Sequence, residues 1–438
     1  MSQLAEWMGA DPVDLWTIAV AMLGNTACAI VGCYLVLRRM SMMGDAISHS
    51  MLAAIGVVFL VTKGVAFLPM FIGAVTVGVL TGVMTEGLHK AADVPEDSSM
   101  GVVFTSLFAL GVVLISMFPG NDLDTRCVLM GYMEHAGLNT MSQIASGQWP
   151  VDLVRMTAML AVVAGLVTAF WKELKLAAFD PALADAMGFH PLRVHYLLMA
   201  MVAGVCVTSM SNLGAIVVIA MLIVPAATAQ LLTDRFGWML VYAVLLSWAA
   251  AILGYVAALW VGSNAAGMMA VVSGLIFLLA VFFAPAHGLT SKWVSNMRLR
   301  LRILCEDILA QLYRAEERAA EASIASTVSS EECAEFAGGG FGGRVSMWLL
   351  RGRNQIAVAE DNVRLTDAGR KTGRSLLRSH RLWETYISKH FELDADHLHE
   401  PAHRVEHFIG PELQDRMAAE LDEATDPHGR EIPGNSDE

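Results

Sequence analysis

The feature that most constrains the fold is a series of nine apolar runs that fills the first two thirds of the 438-residue chain. About 20 apolar residues in a helix cross the hydrocarbon core of a bilayer, and most of the runs approach or exceed that length. A backbone in lipid must satisfy its own polar groups, so the runs predict helices. The expected fold is an all-α polytopic membrane protein with about eight to nine transmembrane helices. The runs fall near residues 15–37, 46–62, 65–88, 101–118, 152–171, 194–210, 213–233, 238–261 and 266–284.

Charge is distributed unevenly along the chain and predicts a second, water-soluble part. Residues 1–290 carry 10 Lys+Arg and 16 Asp+Glu, whereas the shorter stretch 291–438 carries 19 and 26. The net charges are therefore −6 and −7, and neither part has the basic balance of a nucleic-acid-binding protein. We expect a membrane domain at 1–290, a segment at 291–365 that contains a short β-hairpin or wing at QIAVAEDNVRL, and a mainly α-helical domain at 366–438 whose first helix starts near Thr366.

The basic residues between the runs predict the orientation, because Lys and Arg accumulate in cytosolic loops. With nine spans, Lys63, Arg126 and Arg155 fall on one side, and a larger group falls on the other. The N-terminus is then expected outside and the C-terminal part in the cytosol. The larger, cytosolic group consists of Arg38, Arg39, Lys90, Lys172, Lys175, Arg193, Arg235 and Lys292.

Two ionisable residues open the second run, in the segment MGDAISHSMLAAIG. Asp45 and His49 are four residues apart, so a helix places them on one face. Ionisable groups in a membrane helix are expensive and often face a pathway. The spacing is equally consistent with an interfacial aspartate beside a hydrogen-bonded core histidine.

The C-terminal part contains a stretch that is rich in histidine and acidic residues, SHRLWETYISKHFELDADHLHEPAHRVEHF. The pairs His380/Glu384, His399/His403 and His403/His407 are each spaced by four, which places both members on one helical face. Imidazole and carboxylate groups together suit a divalent cation such as Zn, Fe or Mn. The alternative is a set of solvated histidines on a domain that only dimerises.

The apolar part resembles the ABC-3-type permeases in six successive motifs. These are GDAISHS, VPEDSSMGVVFTSLFALGVVLIS, DLDTRCVLMGY, AAFDPALADAMGFHP, SNLGAIVVIAMLIVPAATA and VSGLIFLLAVFFAPAHGL. The resemblance spans residues 15–290 and implies the membrane subunit of a manganese, zinc or iron ABC importer of the bacterial inner membrane. It implies that Asp45 and His49 coordinate the passing metal, and that the permease works as a homodimer or paired permease.

The same resemblance implies partners. The loop 179–193, with Phe179, Asp180, Pro181 and Gly188, matches the segment that couples these permeases to a cytosolic ABC ATPase. No G-x-x-x-x-G-K-[ST] motif occurs in the sequence, so the ATP hydrolysis is expected from that separate subunit and not from this chain. An extracytoplasmic metal-binding protein is expected to deliver the metal.

The C-terminal part resembles DtxR-type iron- and manganese-dependent repressors over about 361–434, with a weaker match upstream at CEDILAQLY. The resemblance implies a principal metal site of Asp307, His403, Glu406 and His407. It also implies an ancillary site of His380, Glu384 and His399.

Two positions depart from the repressor pattern. His403 stands where iron-type sensors have Cys and manganese-type sensors have Glu, and Ala310 replaces an acid of the manganese type. The identity of the bound metal therefore stays open.

The segment that would read DNA in such repressors is GGGFGGRVSMWLLRGRN, whose glycines weaken a helix start. Arg344, Arg351 and Arg353 would contact phosphate, which carries no sequence information. We therefore expect a degenerate winged helix and no DNA binding.

The sequence thus predicts a divalent-metal permease, with manganese favoured, fused to a cytosolic metal sensor. The alternatives are a zinc or iron importer, a membrane-anchored metal-responsive transcription regulator, and an acidic dimerisation module.

Overall fold

The computed structural model describes residues 12–62, 67–117, 140–141, 149–323, 328–336, 338–360, 362–391, 399–421 and 425–434. The chain divides into two compact units, Met1–Ser291 and Lys292–Glu438.

The first unit is a helical bundle. Within the described ranges, nine of its helices are long and apolar enough to cross a membrane, in agreement with the apolar runs of the sequence. Two short helices lie between the fifth and sixth of these, and one pair of two-residue strands precedes the fifth. The elements are α1 (Pro12–Leu37), α2 (Ser41–Thr62), α3 (Phe67–Ala92), α4 (Glu96–Ser116), β1 (Thr140–Met141), β2 (Trp149–Pro150), α5 (Val151–Ala169), α6 (Trp171–Phe179), α7 (Pro181–Ala186), α8 (Pro191–Leu213), α9 (Ala215–Leu232), α10 (Phe236–Val261) and α11 (Ala265–Phe283).

Glycine contacts bring the helices of the bundle close together. A Cβ atom added at Gly32 of α1 would lie 1.8 Å from the Leu222 carbonyl oxygen of α9, so these two backbones touch. The same holds for Gly111 of α4, whose added Cβ would lie 2.5 Å from Ala53 N of α2. Small residues permit such approaches in membranes, where dispersion contacts between helices replace the hydrophobic effect as the main attraction.

The second unit is built from helices around a three-stranded sheet. The strand order is β3-β5-β4, with all pairs antiparallel, and Val358 of β4 lies opposite Val363 of β5. The hairpin expected at 355–365 is therefore present. The elements are α12 (Leu289–Glu321), β3 (Val328–Ser329), α13 (Ser330–Phe336), α14 (Gly340–Gly352), β4 (Ile356–Ala359), β5 (Asn362–Leu365), α15 (Asp367–His390), α16 (His399–Val405), a 3-10 turn (Glu406–Phe408) and α17 (Pro411–Leu421).

Two apolar cores position the site-bearing helices of this unit. Ile308 and Leu312 of α12 pack with Leu350 of α14 and with the sheet. Leu382 of α15 packs with Met417 of α17 in a separate cluster. Thr366 caps α15, since its Oγ1 accepts a hydrogen bond from Gly369 N at 3.2 Å. Because these contacts leave the polar faces of α12, α15 and α16 turned toward one another, their ionisable side chains meet.

Candidate metal centre and membrane pathway

Four side chains in the second unit converge on one point. Asp307 comes from α12, His403 from α16, and Glu406 and His407 from the 3-10 turn that follows it. One ligand atom from each lies within 4.8 Å of the others. Three- and four-residue spacings bring His403, Glu406 and His407 to one side of the helix end. Two imidazole nitrogens and two carboxylate oxygens form a donor set that suits borderline divalent metals.

The distances within this cluster leave Asp307 short of polar partners. Its Oδ1 lies 3.2 Å from His407 Nε2 and 3.9 Å from His403 Nε2. That oxygen is buried and makes no well-aligned hydrogen bond to any described residue. A buried carboxylate oxygen without such a bond is rare, and a cation between it and the two histidines would satisfy it. The cluster therefore fits a metal ion.

Charge pairing in the metal-free cluster is strong. Burial alone would lower the pKa of His407, but its close contacts with Asp307 and Glu306 and the negative charges of Asp307 and Glu406 outweigh burial and raise the pKa to about 9. Burial alone would raise the pKa of Glu406, yet hydrogen bonds from His380 and His403 lower the pKa to about 2. In the absence of a metal, protonated histidines therefore pair with the carboxylates of the cluster.

Glu306 is a member of this site that the sequence reasoning missed. Its Oε2 lies 2.9 Å from Nδ1 of His407, the nitrogen opposite the one that faces Asp307. A carboxylate on the far nitrogen of a metal-binding histidine fixes the ring orientation and raises its basicity. The two adjacent acids of CEDILAQ were the available signal, because they directly precede the part of α12 that the fold buries.

The residues assigned by resemblance to an ancillary site lie against the principal one. His380 Nε2 is 3.0 Å from Glu384 Oε1, and His380 Nδ1 is 2.5 Å from Glu406 Oε2. Arg314 of α12 also approaches Glu406, at 3.9 Å. The His399 side chain lies outside the described part of the chain. Glu406 thus connects the two sets of residues.

The predicted pathway pair lies in the second and third turns of α2. Asp45 Oδ1 is 3.2 Å from His49 Nε2, and the two side chains are 33% and 30% exposed in the single chain. His49 also packs against Phe104 and Phe108 of α4. The pair therefore lies at the surface of the bundle, flanked by aromatic rings, and not within its core.

The predicted coupling segment forms the short helix α7. Asp180 caps it by accepting a hydrogen bond from Leu183 N at 3.0 Å, and Pro181 occupies its first turn. Gly188 takes a left-handed conformation with φ of 83°, which ends the segment. The apolar side chains of Phe179 and Met187 are 55% and 61% exposed. The segment is thus a short, capped helix flanked on both sides by an exposed apolar side chain.

The nine apolar helices and the ionisable pair define a polytopic membrane protein of the permease type, joined to a domain with a metal-ligand cluster. Residues 12–284 match the ABC 3 transport family, and the chain belongs to that family. Residues 366–434 match the metal binding and dimerisation domain of iron dependent repressors. The predictions of a membrane-located transport permease and of a fused repressor-type domain are thereby confirmed.

Relatives of the membrane unit include two named transport proteins. The manganese transport system membrane protein MntD of Bacillus subtilis is 38% identical over 66% of this chain and 97% of its own length. The zinc transport system membrane protein TroD of Treponema pallidum is 38% identical over 65% of this chain and 77% of its own. The solved structure of PsaBC from Streptococcus pneumoniae in complex with Fab has 28% identity and a TM-score of 0.55, covering 65% of this chain and 97% of that one.

Proposed function

We propose that this chain is the permease subunit of an ABC importer for a divalent transition metal, with manganese as the favoured substrate. The observation that carries the proposal is the similarity to a manganese permease along 97% of that relative's length. Asp45 and His49 supply the oxygen and nitrogen donors that such an ion needs in the membrane. Their partial exposure in one chain suits a pathway formed between two permeases, either a homodimer or a pair.

A separate cytosolic ABC ATPase hydrolyses the ATP in this proposal, and α7 transmits its movement to the bundle. The exposed Phe179 and Met187 supply an apolar surface for docking, and the Asp180 cap keeps the short helix rigid. An extracytoplasmic metal-binding protein delivers the ion on the opposite side. The distribution of basic residues supports an outer N-terminus and a cytosolic C-terminal unit in the bacterial inner membrane.

The test is uptake of Mn²⁺ into right-side-out proteoliposomes that contain this chain and its ATPase, with ATP enclosed and the extracytoplasmic metal-binding protein added outside. Wild-type vesicles should accumulate Mn²⁺, and Asp45→Asn or His49→Gln should abolish the uptake. Asp97→Asn, an exposed acid in the first turn of another membrane helix, should leave it intact. Absence of ATP-driven uptake of any divalent metal would contradict the proposal.

Zinc is the second candidate substrate, because a relative named as a zinc transport protein is as similar as the manganese one. Zn²⁺ prefers tetrahedral nitrogen and sulfur ligands, while Mn²⁺ accepts more oxygen. Competition between the two ions in the uptake assay separates the candidates. If Zn²⁺ is accumulated and Mn²⁺ is not, the substrate assignment changes and the permease assignment stands.

The second unit is proposed to sense cytosolic metal through Asp307, His403, Glu406 and His407. A bound divalent ion would supply positive charge that ties α12 to the helix end at 403–407, in place of the protons that do so in its absence. His407 would be held in orientation by Glu306, and Glu406 by His380. Binding can slow transport only if the ion prefers the arrangement that transports less.

Vesicles preloaded with Mn²⁺ on the cytosolic face test this feedback. Wild-type uptake should fall as the internal metal rises, and the double variant His403→Ala/Glu406→Ala should keep its initial rate. Equal inhibition of the two proteins would eliminate the sensing role while leaving the transport role untouched.

A membrane-anchored transcription regulator is the alternative from another class. In repressors of this type the recognition helix presents polar groups to the major groove. The corresponding helix α14 instead exposes Phe341 and Trp348, which are 85% and 73% accessible, beside Arg344 and Arg351. A degenerate winged helix without DNA binding therefore remains our proposal. Selection of a specific DNA sequence by the metal-loaded protein would overturn it.

A further inference from the structure

The membrane unit contains a cavity with apolar and polar side chains in its wall, and neither Asp45 nor His49 lines it. Its volume is about 340 Å³, and it lies among the end of α1, the start of α2, the end of α3, the α6–α7 segment and the start of α8. Its polar lining includes Thr85, Glu86, His89 and Lys90 of α3 and His195 of α8. Under the proposed orientation all these helix ends lie on the cytosolic side of the bundle.

Two metal-ligating atoms face each other in this cavity. Glu86 Oε2 and His195 Nε2 are 3.9 Å apart. Both atoms are buried and make no well-aligned hydrogen bond to a described residue, as is also true of the Thr85 hydroxyl. The Tyr196 hydroxyl, on the residue next to His195, also lies within reach of the Glu86 carboxylate. His195 is only 6% exposed, and the other oxygen of Glu86 is engaged by Lys90 Nζ at 2.7 Å. Buried polar atoms of this kind destabilise the fold unless a partner satisfies them.

We propose that Glu86 and His195 form a transit site for a divalent transition metal at the cytosolic end of the permease. The inference rests on the proposed transport function and adds a second station to it. A carboxylate oxygen and an imidazole nitrogen bind such ions at about 2.0–2.2 Å, so one ion fits between atoms 3.9 Å apart with a small adjustment. The ion would satisfy both atoms at once, while Thr85 and water complete its shell.

The residues of this site favour weak binding and release of the ion. It offers two strong protein donors, fewer than a storage site uses, and the cationic side chains of Arg38, Arg39 and Lys90 line the same cavity. Repulsion from these groups lowers affinity for a cation. A pathway needs sites that an ion enters and also leaves, so weak binding is suitable.

The cavity also touches the segment proposed to dock on the ATPase. Ala177, Ala178 and Pro181 form part of its wall. Met43 of α2, two residues before Asp45, forms another part. A displacement of α7 would therefore reshape the cavity directly, which links release of the ion to the ATPase cycle.

Uptake measurements with single variants test the role of the pair. Glu86→Gln and His195→Gln in the full complex should each lower the initial rate of Mn²⁺ uptake by about tenfold or more, the loss typical of weakened metal sites. His89→Gln is the matched control, because His89 lines the same cavity while its Nδ1 lies 2.6 Å from the Val94 carbonyl oxygen. Unchanged uptake in both test variants, or an equal loss in the control, would overturn the proposal.

A binding measurement keeps the test independent of transport and of folding defects in the charge-removing variants. His195→Cys places a thiolate ligand at the site, and Cd²⁺ added to the purified full-length protein should produce new cadmium–thiolate absorption above the wild-type background. Adding Glu86→Gln should weaken that binding by about tenfold. If Cd²⁺ gives no extra absorption, the space holds water only and the site does not exist. If Cd²⁺ binds but wild-type vesicles take up no metal, the transport proposal fails and the site stands.

Discussion

The Glu406 carboxylate lies 2.5 Å from Nδ1 of His380, and this contact joins two groups of metal-ligating residues that the sequence presents as separate sites. The other oxygen of Glu406 is 2.9 Å from His403 Nδ1. Glu406 and His380 are only 1% and 3% exposed, so their contact is shielded from water, whereas the His403 side chain is partly exposed. A substitution in one group of residues should therefore alter the hydrogen bonds and the charge balance of the other group.

Glu406→Gln should affect both folding and metal binding. The substitution leaves the buried His380 without one of its anionic partners, so the metal-free unit should lose about 3 kcal/mol of unfolding free energy. Metal affinity should fall at least tenfold, because a ligand is lost. Urea unfolding and Mn²⁺ titration of a 289–438 fragment measure the two effects.

The control is Glu412→Gln, which removes an exposed acid from the first turn of α17. It should change the unfolding free energy by less than about 0.5 kcal/mol. Equal effects of the two substitutions would show that Glu406 has no special role.

Stability of the metal-free unit should depend on pH through His407 and Glu406. The pKa of His407 rises from 6.5 to about 9 on folding, so its contribution is complete below 6.5 and is lost as the pH rises through 9. The pKa of Glu406 falls from 4.5 to about 2, so its contribution is complete above 4.5 and is lost as the pH falls through 2. Thermal unfolding without metal should therefore show the greatest stability between about pH 4.5 and 6.5, where both contributions are complete. A midpoint that increases from pH 6.5 to 9 would contradict this.

Metal binding should show the opposite trend with pH over the alkaline part of that range. A metal needs neutral His407, so an ion must displace its proton, and affinity should increase as the pH approaches 9. Titration calorimetry in buffers of different ionisation enthalpy reports the protons released. Binding with no proton release at pH 7 would show that His407 is not a ligand.

Glu306→Gln tests the supporting carboxylate. Loss of the charge beside His407 Nδ1 should lower Mn²⁺ affinity by about tenfold, the effect expected of a group behind a metal ligand. It should also lower the pKa of His407, so that proton release on binding decreases. The control is Glu316→Gln, which removes another acid of α12, one that pairs with Arg370 of α15. It should change neither the Mn²⁺ affinity nor the pKa of His407. An unchanged pKa of His407 in Glu306→Gln would remove Glu306 from the site.

Packing of the membrane unit should depend on Gly32. An alanine Cβ there would overlap the Leu222 carbonyl, so Gly32→Ala should destabilise the bundle by about 1–3 kcal/mol or more. Gly165→Ala is the control, because a Cβ at Gly165 meets no atom within 4 Å. Thermal unfolding of the full chain in detergent compares them. Similar midpoints for the two variants would show that α1 and α9 do not touch at this point.

The fold was largely predictable because a membrane helix needs a run of about 20 apolar residues, and such a run can be recognised in the sequence. The nine runs coincide approximately with nine described helices. The second run begins at 46 whereas α2 begins at Ser41, because polar residues such as Ser41 and Asp45 lower the hydropathy of the first two turns. The Thr366 cap and the Asp180-Pro181 helix start were likewise local signals, and both elements are present.

The composition of the sites was less predictable, because it depends on contacts between distant segments. The four ligands of the principal cluster followed from resemblance, but Glu306 and the Glu406–His380 contact required the packing of α12 against α15 and α16. Glu86 and His195 face each other although they are 109 positions apart in the sequence, so no local spacing pattern predicts their contact. Helical periodicity reports which residues share a face, whereas tertiary packing decides which faces meet.

The most direct test of a metal-binding unit fused to a permease is Mn²⁺ titration of the purified 289–438 fragment, compared with its His403→Ala/Glu406→Ala variant. The account predicts saturable binding by the wild-type fragment and its loss in the variant, with metal present in the purified wild-type protein. Absence of binding to Mn²⁺, Fe²⁺ and Zn²⁺, or equal binding by both fragments, would contradict it and leave the second unit as a dimerisation module.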